Sequence, residues 1–319
     1  MDRSKNIHKS KRTDNKIIYI VGPTSSGKTA LAVHIASLFN CEIISADSRQ
    51  VYKYMNIGTG KDLKEYGKIK YHCIDLVDPK TEFNLAKYIK KANIAIKKIQ
   101  NKNKIPLIVG GTGLYIDSLI KGYNLENEKI DNKLRKELEL KTKEQLQKQL
   151  LKLDKNIKEK LNNSDWNNPY RLIRQIEKLL SPIKPSIPKP LTSKNLTIAI
   201  SIPKEILDKR IHKRIIDRIE KQGMIEEIYN LHYKNKVSWK RLESFGLEYK
   251  FISQYLRNSA LQCATTLSQT INLLATATNQ YAKRQITWFK KTPGVIWIDG
   301  SDKKILYKKT EKTIKEFLK

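Results

Sequence analysis

The chain is short of acid, of arginine, of cysteine and of long apolar runs. Its 319 residues hold 32 Asp plus Glu against 63 Lys plus Arg, a formal charge of +31, and only 12 of those cations are arginine. Three cysteines, Cys41, Cys73 and Cys263, lie far apart with no CxxC pair. That argues against a zinc site and a disulfide framework, and it suits a reducing cytoplasm. No apolar run nears the roughly 20 residues that span a bilayer, so no membrane segment is expected. The opening MDRSKNIHKSKRTDNK is basic without an apolar stretch, so no secretory signal is expected in it. Residues 1–15 read as a disordered basic arm.

The charge has a bland source, since Lys, Asn and Ile all run high, as in an A/T-rich coding sequence. It still produces a field that draws polyanions. The scarce arginines are the sharper guide to where such a ligand would sit.

Short β-branched runs alternate with helical patterns. IIYIV (17–21), CEIIS (41–45), YHCIDL (71–76), PLIVG (106–110), LTIAIS (196–201) and VIWID (295–299) read as strands. Continuous apolar strands separated by helices imply a parallel sheet covered on both faces. The alternation breaks between about 125 and 192. There Leu146, Leu150, Leu153, Ile157 and Leu161 fall on one helical stripe, and PYRLIRQIEKLL places Ile173, Ile176 and Leu180 on a buried face with Arg171, Arg174 and Lys178 on another. SPIKPSIPKP, with four prolines in nine residues, then reads as a stiff connector. The expected organisation is a first core segment (16–124), a helical insertion (125–192) and a second core segment (193–319).

Gly22-Pro-Thr24-Ser25-Ser26-Gly27-Lys28-Thr29 matches GxxxxGK[ST] between a strand and a helical pattern, the context this phosphate-binding loop requires. Loop amides and the helix N-terminus wrap an anion, Lys28 adds a point charge, and Thr29 offers a hydroxyl to Mg²⁺. The loop specifies a di- or triphosphate without saying which. Asp47, in SADSRQVY, stands at a strand's C-terminal edge, where open α/β sheets place ligands; it is a helix cap, a magnesium neighbour or a catalytic carboxylate. The fourth strand ends in Gly110-Gly111-Thr112-Gly113, where a P-loop hydrolase commonly carries an acid. Two further helical patterns are basic on one face: Arg210, Arg214, Arg218 and Lys221 on the first, then Lys283, Arg284 and Gln285 beside Trp288 and Phe289 on the second.

Taken together, GPTSSGKT, SADSRQVYKYMNIGTGKD, YHCIDLVDP, GGTGLYI, NNPYRLIRQIE and QYAKRQITWFKK resemble the tRNA dimethylallyltransferases, over about residues 17–290. IGTGKD stands where the family commonly has IGTAKP, YHC where it has HHL, and FGLEYK where many bacterial members have a GYRQ-like run. The resemblance implies a P-loop-type α/β core and transfer of a dimethylallyl group from dimethylallyl diphosphate to the N6 amine of the adenosine 3′ to the anticodon. The tRNAs concerned read codons that begin with U.

On that resemblance Asp47 and Thr112 are catalytic. Gly22, Thr24, Ser25, Ser26, Gly27, Lys28 and Thr29 hold the diphosphate with Arg214 and Arg284, and Mg²⁺ sits on Thr29. Ser48, Gln50, Arg171, Arg174, Lys283 and Gln285 meet tRNA, with ESFGLEYK helping to recognise the anticodon loop. The expected partners are the anticodon stem-loop and the prenyl donor, acting on a cytoplasmic monomer without zinc. A P-loop kinase remains the alternative: it accounts for the loop, but not for glycines in place of an acid or for the repeated basic faces.

Overall fold

In a computed structural model the described residues are 15–123, 125, 131–181, 193–259 and 266–319. Residues 1–14 of the basic arm, the four prolines of the connector and Cys263 lie outside them. The chain divides into two compact units, Met1–Gly122 with Pro190–Lys319, and Tyr123–Lys189.

The first unit is a parallel six-stranded sheet with helices on both faces. In chain order it runs β1 (Lys16–Val21), α1 (Lys28–Leu38), β2 (Cys41–Ser45), β3 (Tyr71–His72), α2 (Leu85–Gln100), β4 (Ile105–Gly110) and α3 (Gly113–Lys121). The second unit then contributes α4 (Asn132–Glu139), α5 (Lys143–Leu153), α6 (Ile157–Lys160), α7 (Asn163–Trp166) and α8 (Pro169–Leu180). The first unit resumes with β5 (Lys194–Ser201), α9 (Lys204–Glu220), α10 (Met224–Tyr233), α11 (Trp239–Ser244), α12 (Leu247–Ser259), α13 (Leu267–Lys290), β6 (Val295–Asp299) and α14 (Lys303–Leu318).

The strand order is β3-β2-β4-β1-β5-β6, every neighbouring pair parallel. Alternation along β1 divides the core. Ile18 and Ile20 point into the larger cluster with Leu31, Ile211, Tyr249 and Leu274, while Ile17, Tyr19 and Val21 join Tyr88, Tyr115 and Phe289 on the other face. Because both faces are covered, the strands read as unbroken apolar runs. β3 is shorter than the run YHCIDL suggests: Cys73 (φ 63°) and Asp75 (φ 54°) are left-handed and leave the ladder.

Register sets up the site. Val21 pairs with Gly110 and with Ala199, and Ser45 with Val109. Strands β1, β2 and β4 therefore end nearly level, and the turns after them share one edge, the C-terminal edge where doubly wound sheets bind ligands.

The second unit has its own core of Leu138, Leu146, Leu150, Ile157, Leu172, Ile173 and Ile176. The single stripe expected over 146–161 is broken. Thr142 opens α5 with a capping box to Gln145, and Asp154 ends it in an extended conformation, its carboxylate accepting from Asn156 N at 3.0 Å. Leu153 is left 41% exposed, and Leu180, at the end of α8, is exposed as well. Arg135 clasps Glu177 through two 2.6 Å hydrogen bonds and so ties α4 to α8. No described helix is long and apolar enough to cross a membrane.

Candidate active site

The turn after β1 closes on itself to make an anion nest. Gly22 (φ 145°), Ser25 (φ 61°) and Gly27 (φ 86°) take positive φ values, which turn successive backbone amides inward above the start of α1. Lys28 Nζ donates to Pro23 O at 2.6 Å. Arg214, from α9, reaches across and donates to Thr24 Oγ1 at 2.7 Å. Three buried polar atoms here have no hydrogen-bond partner among the described residues: Ser25 Oγ, Ser26 Oγ and Arg214 Nε. Buried polar groups are rarely left unpaired, so three together mark a place where a ligand would supply the missing partners.

The charge in the nest is also uncomfortable without an anion. Burial first, and Arg214 second, push the Lys28 ammonium down to about 7, with Asp47 opposing. Burial and then Arg218 likewise pull the Arg214 guanidinium down. A diphosphate would relieve both.

Opposite the nest, the turns after β2 and β4 are joined to each other. Ala46 N donates to Val109 O at 2.7 Å, Thr112 N to Ala46 O at 3.2 Å, and Ser48 N to Thr112 Oγ1 at 3.1 Å. A Cβ at Gly110 would fall 2.2 Å from Ala46 O, so only glycine lets these strand ends approach so closely. Asp47 is fixed by a 2.8 Å bond that its Oδ1 accepts from Arg49 N. The Tyr281 phenol of α13 lies beside Thr112, and burial pushes it up to about 12, so it is neutral at pH 7.

One cavity of about 420 Å³ connects nest and turns, lined among others by Thr24, Lys28, Thr29, Asp47, Gln50 and Arg214. Its floor is the loop Gly58–Gly60. Both Glu227 oxygens hold that loop's start, accepting from Asn56 N (2.7 Å), Ile57 N (2.6 Å) and Gly58 N (3.1 Å), and from Tyr249 Oη (2.8 Å). Beneath it Lys61, wholly buried, donates to Tyr52 O (2.7 Å), Asn56 Oδ1 (2.9 Å) and Asp75 Oδ1 (2.5 Å). Three acceptors offset the cost of burying its charge.

Gly22, Thr24, Ser25, Ser26, Gly27, Lys28 and Thr29 thus form the nest, and Asp47 and Thr112 stand on adjacent turns. Of the two arginines assigned to the donor, Arg214 lines the cavity and Arg284 does not; Arg284 is exposed on α13, 5.9 Å over the Tyr281 ring. Gln50 and Gln285, assigned to tRNA, are buried. Gln50 Oε1 accepts from Ser45 Oγ at 2.7 Å and its Nε2 donates to Gly60 O at 3.0 Å. Gln285 Oε1 accepts from Thr24 N at 2.8 Å and its Nε2 donates to Gly111 O at 2.9 Å. Ser48 is half-buried and Lys283 is exposed. Arg171 pairs with Asp165, and Arg174 with Glu177 at 3.0 Å.

Sequence reasoning placed Arg218 only on a basic helix face and missed its pairing with Glu248; the two are buried partners 3.7 Å apart that stand behind Arg214. Glu248 belongs to the ESFGLEYK stretch. It faces the arginines, which is a different neighbourhood from the anticodon contact expected of that stretch. Arg218 was visible at i+4 from Arg214 on one helical stripe.

For a metal, the donors at the nest are oxygen: the Thr29 hydroxyl, with Asp47 and Asp62 on the same cavity wall. That set suits a hard cation carried in by phosphate oxygens, since Mg²⁺ keeps several waters and needs few protein ligands. Among the described residues no group of three or more His, Cys, Asp or Glu could enclose a metal alone.

The IPP transferase family model matches residues 50–292, and the isopentenyl transferase model residues 15–70. The chain belongs to the IPP transferase family. It is 43% identical over 293 residues to tRNA dimethylallyltransferase 2 of Shewanella sediminis, covering 89% of this chain and 93% of that one. The protein of the same name from Treponema denticola is 40% identical over 286 residues, 86% and 91% of the two chains. Among solved structures, the tRNA isopentenylpyrophosphate transferase of Bacillus halodurans is similar with a TM-score of 0.70 at 31% identity, over 95% of this chain and 97% of that one. A eukaryotic dimethylallyltransferase captured acting on tRNA has a TM-score of 0.80 at 27% identity, over 95% and 79%. The kinase alternative has no counterpart among these relatives.

Proposed function

We propose that this enzyme transfers a dimethylallyl group from dimethylallyl diphosphate to the N6 amine of the adenosine 3′ to the anticodon, in tRNAs reading codons that begin with U. The observation that carries the reading is the cavity itself: unpaired donors of an anion nest at one end, the Asp47 carboxylate and the Thr112 turn at the other.

The adenine amine is a weak nucleophile because its lone pair is delocalised into the ring. The allylic carbon compensates by gaining cation character as its C–O bond lengthens. The N6 lone pair forms the new C–N bond, the C–O electrons leave with diphosphate, and Asp47 accepts the N6 proton. Donors preorganised around the leaving oxygens favour that charge separation: the loop amides, Ser25, Ser26, Lys28 and Arg214. Mg²⁺, held by Thr29 and the diphosphate, would supply further charge neutralisation. Thr112, braced by Ser48 N, orients the amine.

A base at the anticodon must leave its stack to enter a cavity of this kind. The exposed Lys283 and Arg284 of α13 are proposed to meet the RNA backbone. The helical unit, with Arg171 and Arg174, is proposed to grip the anticodon stem, with the enzyme acting as a monomer.

Incubation with unmodified tRNA, labelled dimethylallyl diphosphate and Mg²⁺ should put label into tRNA without ATP. Label that enters only with ATP would sink the reading.

A further inference from the structure

Gln285 joins the two halves of the site. Its side-chain amide spans from Thr24 N, in the anion nest, to Gly111 O, in the turn that carries Thr112, through bonds of 2.8 and 2.9 Å. It is 5% exposed. The two bonds fix which end of the amide is which, because a backbone N–H needs the oxygen and a carbonyl needs the nitrogen. Gly111 is shaped to this contact: a Cβ there would lie 2.1 Å from Gln285 Nε2. One turn earlier on the same helix, Tyr281 lies beside Thr112. Thr24 is held from both sides, its amide by Gln285 and its hydroxyl by Arg214.

We infer that Gln285 is a positioning residue that sets the separation between leaving group and acceptor, with α13 serving as the rigid bar between the two turns. Its amide is committed at both ends, so it contributes spacing where a nucleic-acid contact was expected. Thr24 N, already donating to Gln285, is withdrawn from the diphosphate donors, and that leaves the other loop amides, the charge at Lys28 and Arg214 and the hydroxyls of Ser25 and Ser26 as the groups facing the anion. The inference rests on the prenyl-transfer reading above.

Transfer needs the amine and the allylic carbon in near-attack geometry, and a misplacement of about 1 Å costs on the order of 10²-fold. Donor ionisation alone needs only the nest. Loss of the bridge should therefore slow transfer more than it slows the hydrolysis of dimethylallyl diphosphate, in which water replaces the amine and releases dimethylallyl alcohol and diphosphate.

The test uses the full chain with Gln285→Met, which keeps the bulk and removes both bonds. Gln285→Glu is the second variant, since it can still accept from Thr24 N but turns a lone pair on Gly111 O. Thr278→Ala serves as the control, because Thr278 is a buried residue of α13 bonded only within its own helix at 2.7 Å. Expected for Gln285→Met and Gln285→Glu is a fall in kcat for tRNA of about 10- to 100-fold. The KM values for donor and tRNA should stay within about threefold, and the ratio of hydrolysis to transfer should rise. Thr278→Ala should lose melting temperature without changing that ratio. If the Gln285 variants track Thr278→Ala, with activity falling only as the folded fraction falls, the inference is overturned. It is likewise overturned if the Met and Glu variants turn over normally. Absence of transfer by the unsubstituted enzyme would instead sink the reading on which the inference rests.

Discussion

Gly60 gives way to Arg218: a Cβ at position 60 would fall 2.0 Å from the arginine's Nη2, and the glycine holds φ at 60°. Both facts disfavour a side chain here. The loop is pinned from the other side by Glu227, and Arg218 is buried against Glu248, so neither has room to yield. Gly60→Ala should therefore destabilise the enzyme by about 1–3 kcal/mol. For a chain of this size that lowers Tm by roughly 2–4 °C per kcal/mol. Thermal unfolding checks it, and an unchanged Tm would mean that Arg218 does not occupy this space in solution.

Lys28 makes donor binding depend on pH. Its ammonium is pushed down to about 7 in the ligand-free site, against an ordinary 10.5, and an anion stabilises the charged form. The sign follows from linkage. Below pH 7 the lysine is already protonated and binding takes up no proton; above it, binding must recruit one, so affinity falls as pH rises from about 7 toward the ordinary lysine value, by up to tenfold per unit. Titration of a non-reactive donor analogue at pH 6.5 to 9 should show this weakening, together with proton uptake in calorimetry across buffers of different ionisation enthalpy. Lys28→Arg keeps its charge and should be flat once the analogue's own ionisation is subtracted. An equal slope in both proteins would refute the assignment.

The sheet was legible because its strands are buried on both sides and carry no alternation that could be mistaken. Ile17–Val21 and Ile105–Gly110 announce themselves as apolar runs. The nest was legible because its glycines and Lys28 serve a local loop. What the sequence hid depends on partners far along the chain. Gln285 lies 261 residues from Thr24, and Glu227 lies about 170 from the amides it holds. Basic stripes misled for the same reason: Arg214 and Arg218 share a helix face with Arg210, yet they point into the protein because Glu248 waits there. The break at Asp154 escaped because leucine spacing continues through it, while capping chemistry decides where the helix stops.

Asp47→Asn separates proton acceptance from geometry. Asparagine's amide oxygen can still accept from Arg49 N, the bond that fixes the turn, but it cannot take the N6 proton. Removal of a positioned base costs about 10²–10⁴-fold. We expect kcat to fall by that factor, with tRNA affinity within about threefold and Tm unchanged. Parallel loss of tRNA binding would make the carboxylate a structural cap instead.

Arg284 offers a choice that salt can decide. It is exposed and outside the cavity, while Arg214 occupies the wall beside Thr24. A phosphate contact to RNA releases counterions and adds roughly 0.7–0.9 to the slope of log affinity against log salt. A residue on the diphosphate would instead raise the donor KM and leave that slope alone. Arg284→Gln should flatten the tRNA salt dependence by about one such increment, and Lys283→Gln by another. The donor KM should stay constant in both. For Arg214→Gln the pattern should invert, with donor KM raised and slope retained, because Arg214 bonds Thr24 of the nest and keeps a buried Nε without a partner among the described residues. A donor KM that responds to Arg284→Gln would return that arginine to the leaving group, and would require α13 to turn its C-terminal end toward the cavity when substrate binds.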